Sequence, residues 1–261
     1  MLKLTFLQYT PTYIIATIVF ILIFVFYLVG HRIRLSSIKK DPDIAQIELG
    51  SINGTLLALL GLLLAFTFSM SNSRYDNRRQ LVIEEANDIG TVILRTDIYP
   101  DSIRTALRAN LKEYVQERVK FYNAGMNVDE ITLHYLNADR IGKTVWSIVA
   151  DYAKVNGEAT RTSQMIPALN DMIDITTTRR AAAEATIPDS IMYFLFVLCF
   201  VSAFLLGYDH KDKIDWIVVT GFAIMLSATV FNIMDLDRPR SGLIDMDLPN
   251  QKMVELLDMF E

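Results

Sequence analysis

The sequence predicts an all-α membrane protein: four transmembrane helices, with a helical extramembrane bundle inserted between the second and third. Three observations carry this. Mean hydropathy is +0.28 although 21% of the residues are charged, so the apolar residues must be concentrated rather than spread. Four long runs are nearly free of charge, and about twenty apolar residues are what ~30 Å of hydrocarbon requires. The segment between the second and third runs repeats its apolar residues with helical spacing. Composition also excludes several classes. With 52% apolar residues the chain has surface to bury, unlike a disordered one. A net charge of -5 leaves no footprint for nucleic acid. The single Cys rules out an intramolecular disulfide or thiolate metal cluster, and His31, His134 and His210 are scattered. Neither a metal nor a cofactor is expected.

The first span covers 12–30, TYIIATIVFILIFVFYLVG. A signal peptide is the competing reading, but this core is too long and aromatic, and no small-residue cleavage site follows. His31-Arg32-Ile33-Arg34 opens a basic loop over 31–51, so the segment is expected to stay as an anchor. The second span, 52–70, is uncharged. The third is 190–208 and the fourth 214–234, with Asp215 at the edge of the fourth beside Trp216 at interface depth. The DHKDK link between them suits only a helical hairpin. Residues 235–261 read as a polar tail.

The domain at 71–188 holds 15 Lys+Arg and 16 Asp+Glu, nearly neutral but well charged. Leu81, Val82, Ile89, Val92 and Ile93 continue the second span outward as far as Tyr99-Pro100. Asp101 is expected to cap a second helix carrying Ile103, Leu107, Leu111, Tyr114, Val115 and Val119. A turn at Asn123-Ala124-Gly125 leads to a third with Ile141, Val145, Trp146, Val149 and Tyr152. After Asn156-Gly157 a fourth carries Met165, Leu169, Met172 and Ile173 and ends near Pro188. No run alternates with period two long enough for a strand.

No catalytic constellation assembles: GxSxG, a Walker glycine loop, HExxH and GxGxxG are all missing, so no enzyme is expected. The acid pairs Glu84-Glu85, Asp171/Asp174 and Asp235/Asp237 read as solvated faces or salt-bridge partners, with a cation shared by Asp171 and Asp174 as the sharper alternative. The second span is more informative. Gly54, Ala58, Gly61, Ala65 and Ser69 draw a stripe of small side chains down one face. Such a stripe lets membrane helices approach closely. Alternatively it faces an axial pathway in an oligomer, with Phe66 and Phe68 narrowing it, since apolar constrictions gate by dewetting. Arg74, Arg78 and Arg79 follow at the membrane exit, Arg179-Arg180 precede the third span, and Arg238-Pro239-Arg240 follow the fourth. These arginines either anchor to headgroups and pair with nearby acids, or form a charged ring that attracts anions. They are expected to come together on one side of the membrane. Asn170, Asp174 and Arg179 are expected to tie the last insert helix to the 74–87 segment, and Cys199 to be a core residue.

The stretch LLAFTFSMSNSRYDNRRQLVIEEANDIG resembles the second-span exit of bestrophin-type channels, and resembles more closely the bacterial bestrophin-like domain membrane proteins. Glu85-Ala86-Asn87, the ALNDMID run at 168–174, and Leu236-Asp237-Arg238-Pro239 carry the likeness. It implies a homo-oligomer, pentameric as in bestrophins, in the bilayer of the cell inner membrane and conducting anions. It places Phe66 and Phe68 near a constriction and the insert around a vestibule. The sequence departs in having Asn77-Arg78-Arg79 where bestrophins have Arg-Trp-Trp-Glu, and in showing no concentrated acidic clasp for calcium.

Orientation is contested. Arg32, Arg34, Lys39, Lys40, Lys211 and Lys213 in the two short loops give six charges, against four from Lys3, Arg238, Arg240 and Lys252. By the positive-inside rule the loops are cytoplasmic and the insert lies outside. Bestrophin topology demands the reverse, and adding Arg74, Arg78, Arg79, Arg179 and Arg180 turns the tally to nine against six. The side of the insert stays open. The expected function is an oligomeric anion channel lined by the second transmembrane helix. The alternative is a non-conducting membrane-anchored sensor or scaffold that uses the insert for interactions.

Overall fold

The computed structural model describes residues 7, 10–46, 49–156, 159–210, 214–238, 240 and 247–261. Lys3, Gly157, Lys211, Lys213 and Pro239, which entered the charge tally and turn assignments above, lie outside the described residues. Seven α-helices of more than twenty residues carry the fold, and no strand occurs among the described residues. Four helices are long and apolar enough to cross a membrane. The chain divides into two compact units: Met1–Arg74 with Thr186–Leu243, and Tyr75–Ala185 with Ile244–Glu261.

The membrane unit begins with α1 (Thr12–Lys40). This helix runs ten residues past the predicted span, so 31–40, expected as loop, is helical. Lys39 and Lys40 occupy its last turn, where cations favour the carbonyl end of the helix dipole. It stops at Asp41, which is extended because Pro42 disfavours the helical conformation in the residue before it. A 3-10 turn, Pro42–Gln46, follows. Helix α2 (Gly50–Arg95) spans 46 residues, about 70 Å at the α-helical rise; its first part, to Arg74, belongs to this unit. The remaining helices of the unit are numbered after those of the bundle: α6 (Asp189–Asp209) and α7 (Trp216–Asp237). Asp215, at the edge of the fourth span, is its N-cap: the carboxylate accepts from the backbone N–H groups of Ile217 at 3.0 Å and Val218 at 3.3 Å.

Helix α1 packs on α6 and α7, around a core that includes Ile23, Leu60, Leu195, Cys199, Ala203 and Val230. The α1–α6 crossing depends on two glycines. A Cβ on Gly30 would stand 2.1 Å from the Phe204 carbonyl oxygen, and one on Gly207 would stand 2.0 Å from that of Tyr27. The two backbones therefore touch, which is how small residues hold membrane helices together when lipid offers no hydrophobic drive.

The second unit takes the rest of α2 and adds α3 (Asp101–Asn123), α4 (Val128–Asn156), α5 (Ala159–Glu184) and α8 (Asp247–Glu255). The cap position of α3 is Pro100, not Asp101; Asp101 is the first helical residue, and its carboxylate pairs with Arg104 at 2.7 Å. Gly125, at φ +54, makes the turn after α3 in the left-handed region that glycine enters freely. Asn127 then accepts from the N–H groups of Asp129 and Glu130 to start α4. The expected apolar stripes meet in one core, with Ile89, Leu107, Leu111, Ile141, Val145 and Leu169 fully or almost fully buried. The predicted polar tail needs correction. Residues 235–237 complete α7, and α8 with the 3-10 turn Leu256–Phe260 places Met253 and Leu256 in the bundle core. Leu257, Met259 and Phe260 pack against the same core, but a nine-residue helix and a single 3-10 turn are too short for a periodicity to be read in sequence.

The second membrane helix and its charged continuation

Within the membrane unit the two faces of α2 differ. Asn53, Leu60, Leu64, Thr67 and Ser71 are buried at helical spacing. Gly54, Ala58, Gly61, Ala65 and Ser69 are exposed, together with Phe66 at 62% and Phe68 at 43%. A Cβ on Gly54 or Gly61 would meet nothing within 4 Å. The small-residue stripe is therefore not a packing face inside the chain. Thr55 and Thr67 donate to the carbonyls of Ser51 at 3.0 Å and Leu63 at 2.7 Å, which satisfies their hydroxyls without a partner helix.

The arginines are distributed over both units. Arg74 donates to the Met70 sulfur at 3.7 Å, and Arg78 is buried. Arg79 pairs with Asp76 at 3.8 Å, a half-exposed pair of the kind worth little. Arg180 pairs with Glu184 at 3.0 Å and lies over the Tyr135 ring. Arg238 donates to two backbone carbonyls of the N-terminal segment, Thr10 at 2.5 Å and Leu7. Asp237 beside it accepts from the Ile187 N–H at 2.8 Å. Asp235 and Asp237 are thus buried, not a solvated face.

Of the two readings of the Glu84-Glu85 pair, each residue follows one. Glu84 is exposed as expected, but Glu85 is 0% exposed. Arg118 on α3 grips it with two nitrogens, Nε at 2.5 Å and Nη2 at 3.0 Å. Tyr122 donates to it at 2.8 Å, and Arg179 on α5 completes the set. The rings of Phe121 and Tyr122 lie under the Arg118 guanidinium, and Tyr122 also lies under that of Arg179. Paired charge and hydrogen bonds on both carboxylate oxygens are what make burial of an ion tolerable. Arg179 thus reaches α2 as anticipated, whereas Asn170 does not: its side-chain oxygen accepts from Trp146 on α4 at 3.3 Å.

Two carboxylates near this cluster titrate abnormally. Asp88 is pushed up to about 6, first by burial and then by the negative charges of Asp171, Glu84 and Glu85. Burial alone would raise Glu117, but hydrogen bonds from His134, Lys120 and Asn137 overcome it and hold the group at about 2. Asp171 and Asp174 are both exposed, and no group of three or more metal-ligating side chains gathers among the described residues.

The Bestrophin-like domain family model matches residues 14–246. This chain belongs to the bestrophin-like family. No curated protein matches it. Among solved structures, a variant of a bacterial bestrophin homologue from Klebsiella pneumoniae is similar at TM-score 0.70 and 15% identity, over 92% of this chain and 98% of that one. A second variant of the homologue gives 0.69 at 15% identity, over 92% and 96%. A crystal structure described only as a membrane protein variant gives 0.70 at 15%, over 93% and 98%. At such identity the likeness shows the fold: a multi-pass, all-helical bestrophin-family membrane protein.

The motifs that carried the family resemblance have structural roles in this chain. In Glu85-Ala86-Asn87 the first residue receives the buried guanidinium groups and the second is in the bundle core. In the 168–174 run, Ala168, Leu169 and Met172 are core and Asp171 acts on Asp88. In Leu236-Asp237-Arg238 the two charged residues tie the end of α7 to Ile187 and to the N-terminal segment. Sequence reasoning missed Arg118 and Tyr122. The available signal was a guanidinium on the apolar face of α3, one turn beyond Tyr114.

Proposed function

We propose that the chain forms a homo-oligomeric, anion-conducting channel of the cell inner membrane, with α2 lining the pathway over Gly54, Ala58, Gly61, Ala65, Phe66 and Phe68. The observation that carries this reading is the two-faced α2: one face is buried in the chain, whereas on the other nothing lies within 4 Å of a Cβ placed on Gly54 or Gly61, and Phe66 and Phe68 are exposed on either side of that stripe. Four helices do not readily enclose a wide pore alone, so the open face is completed by other copies, five on the bestrophin likeness. Phe66 and Phe68 supply an apolar ring that opens and closes by wetting. Span boundaries at 12–30, 52–70, 190–208 and 214–234 belong to the same proposal. The test is single-channel recording in planar bilayers: Phe66→Ala or Phe68→Ala changes conductance or gating. Currents unchanged by both substitutions remove these rings from the pathway.

A second reading, a non-conducting sensor or scaffold, draws support from the arginines. Arg79, Arg179, Arg180 and Arg238 have intramolecular partners, so little of their charge is left to attract an anion. In that reading the open face of α2 only packs against other copies, and Gly61→Leu breaks assembly without any conductance to lose.

A further inference from the structure

The bundle holds a cavity of about 10 Å³, room for one guest of water size. Tyr114 and Arg118 of α3, Tyr135, Asp139 and Gly142 of α4, and Thr176 of α5 line it. Tyr114 is 2% exposed, and its hydroxyl is buried with no hydrogen-bond partner. Native interiors seldom leave such a donor unmatched. Burial pushes the phenol further up from its ordinary value, so the O–H proton stays in place. Arg118 spends Nε and Nη2 on Glu85 and Tyr122, and the carboxylate it meets is shared with Arg179. Thr176 turns its own proton to the Ile173 carbonyl at 2.7 Å, and Asp139 is paired with Lys143 at 2.6 Å.

The geometry points to a single-halide seat in this cavity, chloride under physiological conditions, held by the Tyr114 O–H and the Arg118 guanidinium. Arg118 and Arg179 share the single Glu85 carboxylate, so the cluster keeps one net positive charge, which favours an anion over a neutral guest. Tyr135 and Thr176 of the lining are only half-buried, and a halide, somewhat larger than water, needs their side chains to shift outward. The site lies within the bundle, and binding there clamps α3, α4 and α5 together. Halide concentration would then set bundle stability whether or not the protein conducts.

Bromide is the probe, because it replaces chloride and scatters anomalously. Crystals of the full-length protein grown in sodium bromide are expected to show an anomalous peak between Tyr114 Oη and Arg118, lost in Tyr114→Phe. In detergent, exchanging gluconate for chloride at constant ionic strength is expected to raise Tm; Tyr114→Phe abolishes that shift and Phe66→Ala keeps it. Gly142→Ala is the second variant. Its Cβ sits at ordinary contact distance, 3.6 Å from Tyr114 and 3.8 Å from Ile173, so it folds while narrowing the cavity, and it too loses the peak. Water density without an anomalous peak, or an equal chloride shift in wild type and both variants, overturns the assignment. Loss of conductance with the peak intact would fault the channel reading alone.

Discussion

Helix α2 is one uninterrupted helix with two contrasting halves. Up to Arg74 it exposes glycines, alanines and phenylalanines and buries a narrow stripe of Leu60, Leu64 and Thr67. From Tyr75 onward Arg78, Val82, Glu85, Ile89, Val92 and Ile93 are all buried. The first half leaves a surface open beyond its own subunit. The second builds a closed core, sealed by an ion cluster. Hydrophobicity runs opposite to burial here: a membrane span need not cover its apolar face within its own subunit, because lipid or another copy can meet it, whereas in water that face must be covered.

The contrast is broken most strongly at Glu85. Glu85→Gln leaves Arg118 and Arg179 facing a neutral amide in a buried site, and breaking such a pair costs about 3–5 kcal/mol. Chemical denaturation of the full chain in detergent should report a loss of that size in the bundle transition; a change within about 0.5 kcal/mol would mean that the cluster does not hold the second half closed. Next comes the membrane unit's own packing. Gly207→Ala drives a methyl into the Tyr27 carbonyl and should destabilise the α1–α6 crossing by roughly 1–3 kcal/mol or more. A folded fraction equal to wild type would show that the crossing slides apart freely.

A smaller effect sharpens the picture of the second half. Asp88 has a raised pKa in the folded state, about 6. Its stabilising contribution is therefore fully present below the unfolded value near pH 4 and is lost as pH rises through about 6. Asp88→Asn should flatten the Tm-versus-pH curve in that window, and an unchanged slope there would remove Asp88 as its source. Glu117 works in the opposite sense, contributing above the unfolded value and losing its contribution as pH falls towards about 2. Smallest of all should be Gly61→Ala: with nothing within 4 Å of the new methyl there is no clash, and the helix gains no more than about 1 kcal/mol from the backbone freedom removed. If the variant unfolds as Gly207→Ala is expected to, the open face is a packing face after all.

Much of the fold was legible in residue order. The four apolar runs are long because bilayer thickness demands it, and the stripes at Leu107, Leu111, Ile141 and Leu169 keep the 3.6-residue period because a helix in water buries one face. The candidate site was legible only in part. The stripe from Gly54 to Ser69 stood out by composition, but the glycines that actually join backbones inside the chain are Gly30, which sits alone in its span, and Gly207, which ends the shorter buried row Cys199, Ala203, Gly207. The Glu84-Glu85 pair read as a solvated face or as salt-bridge partners, and the sequence did not divide the two roles: adjacent helical residues point about 100° apart, so Glu84 is exposed and Glu85 is buried in its salt bridges.

What residue order determined by itself was therefore local: where the helices lie, which segments suit lipid, and which family motifs the chain carries. The tertiary structure alone decided which face of α2 stays open, which acid is sealed between Arg118 and Arg179, and that Met253 and Leu256 return to the bundle core. Periodicity and hydropathy are sums over neighbours in the chain. Burial of one charge or contact between two glycines depends on groups that are dozens of residues away in sequence and meet only when the helices pack.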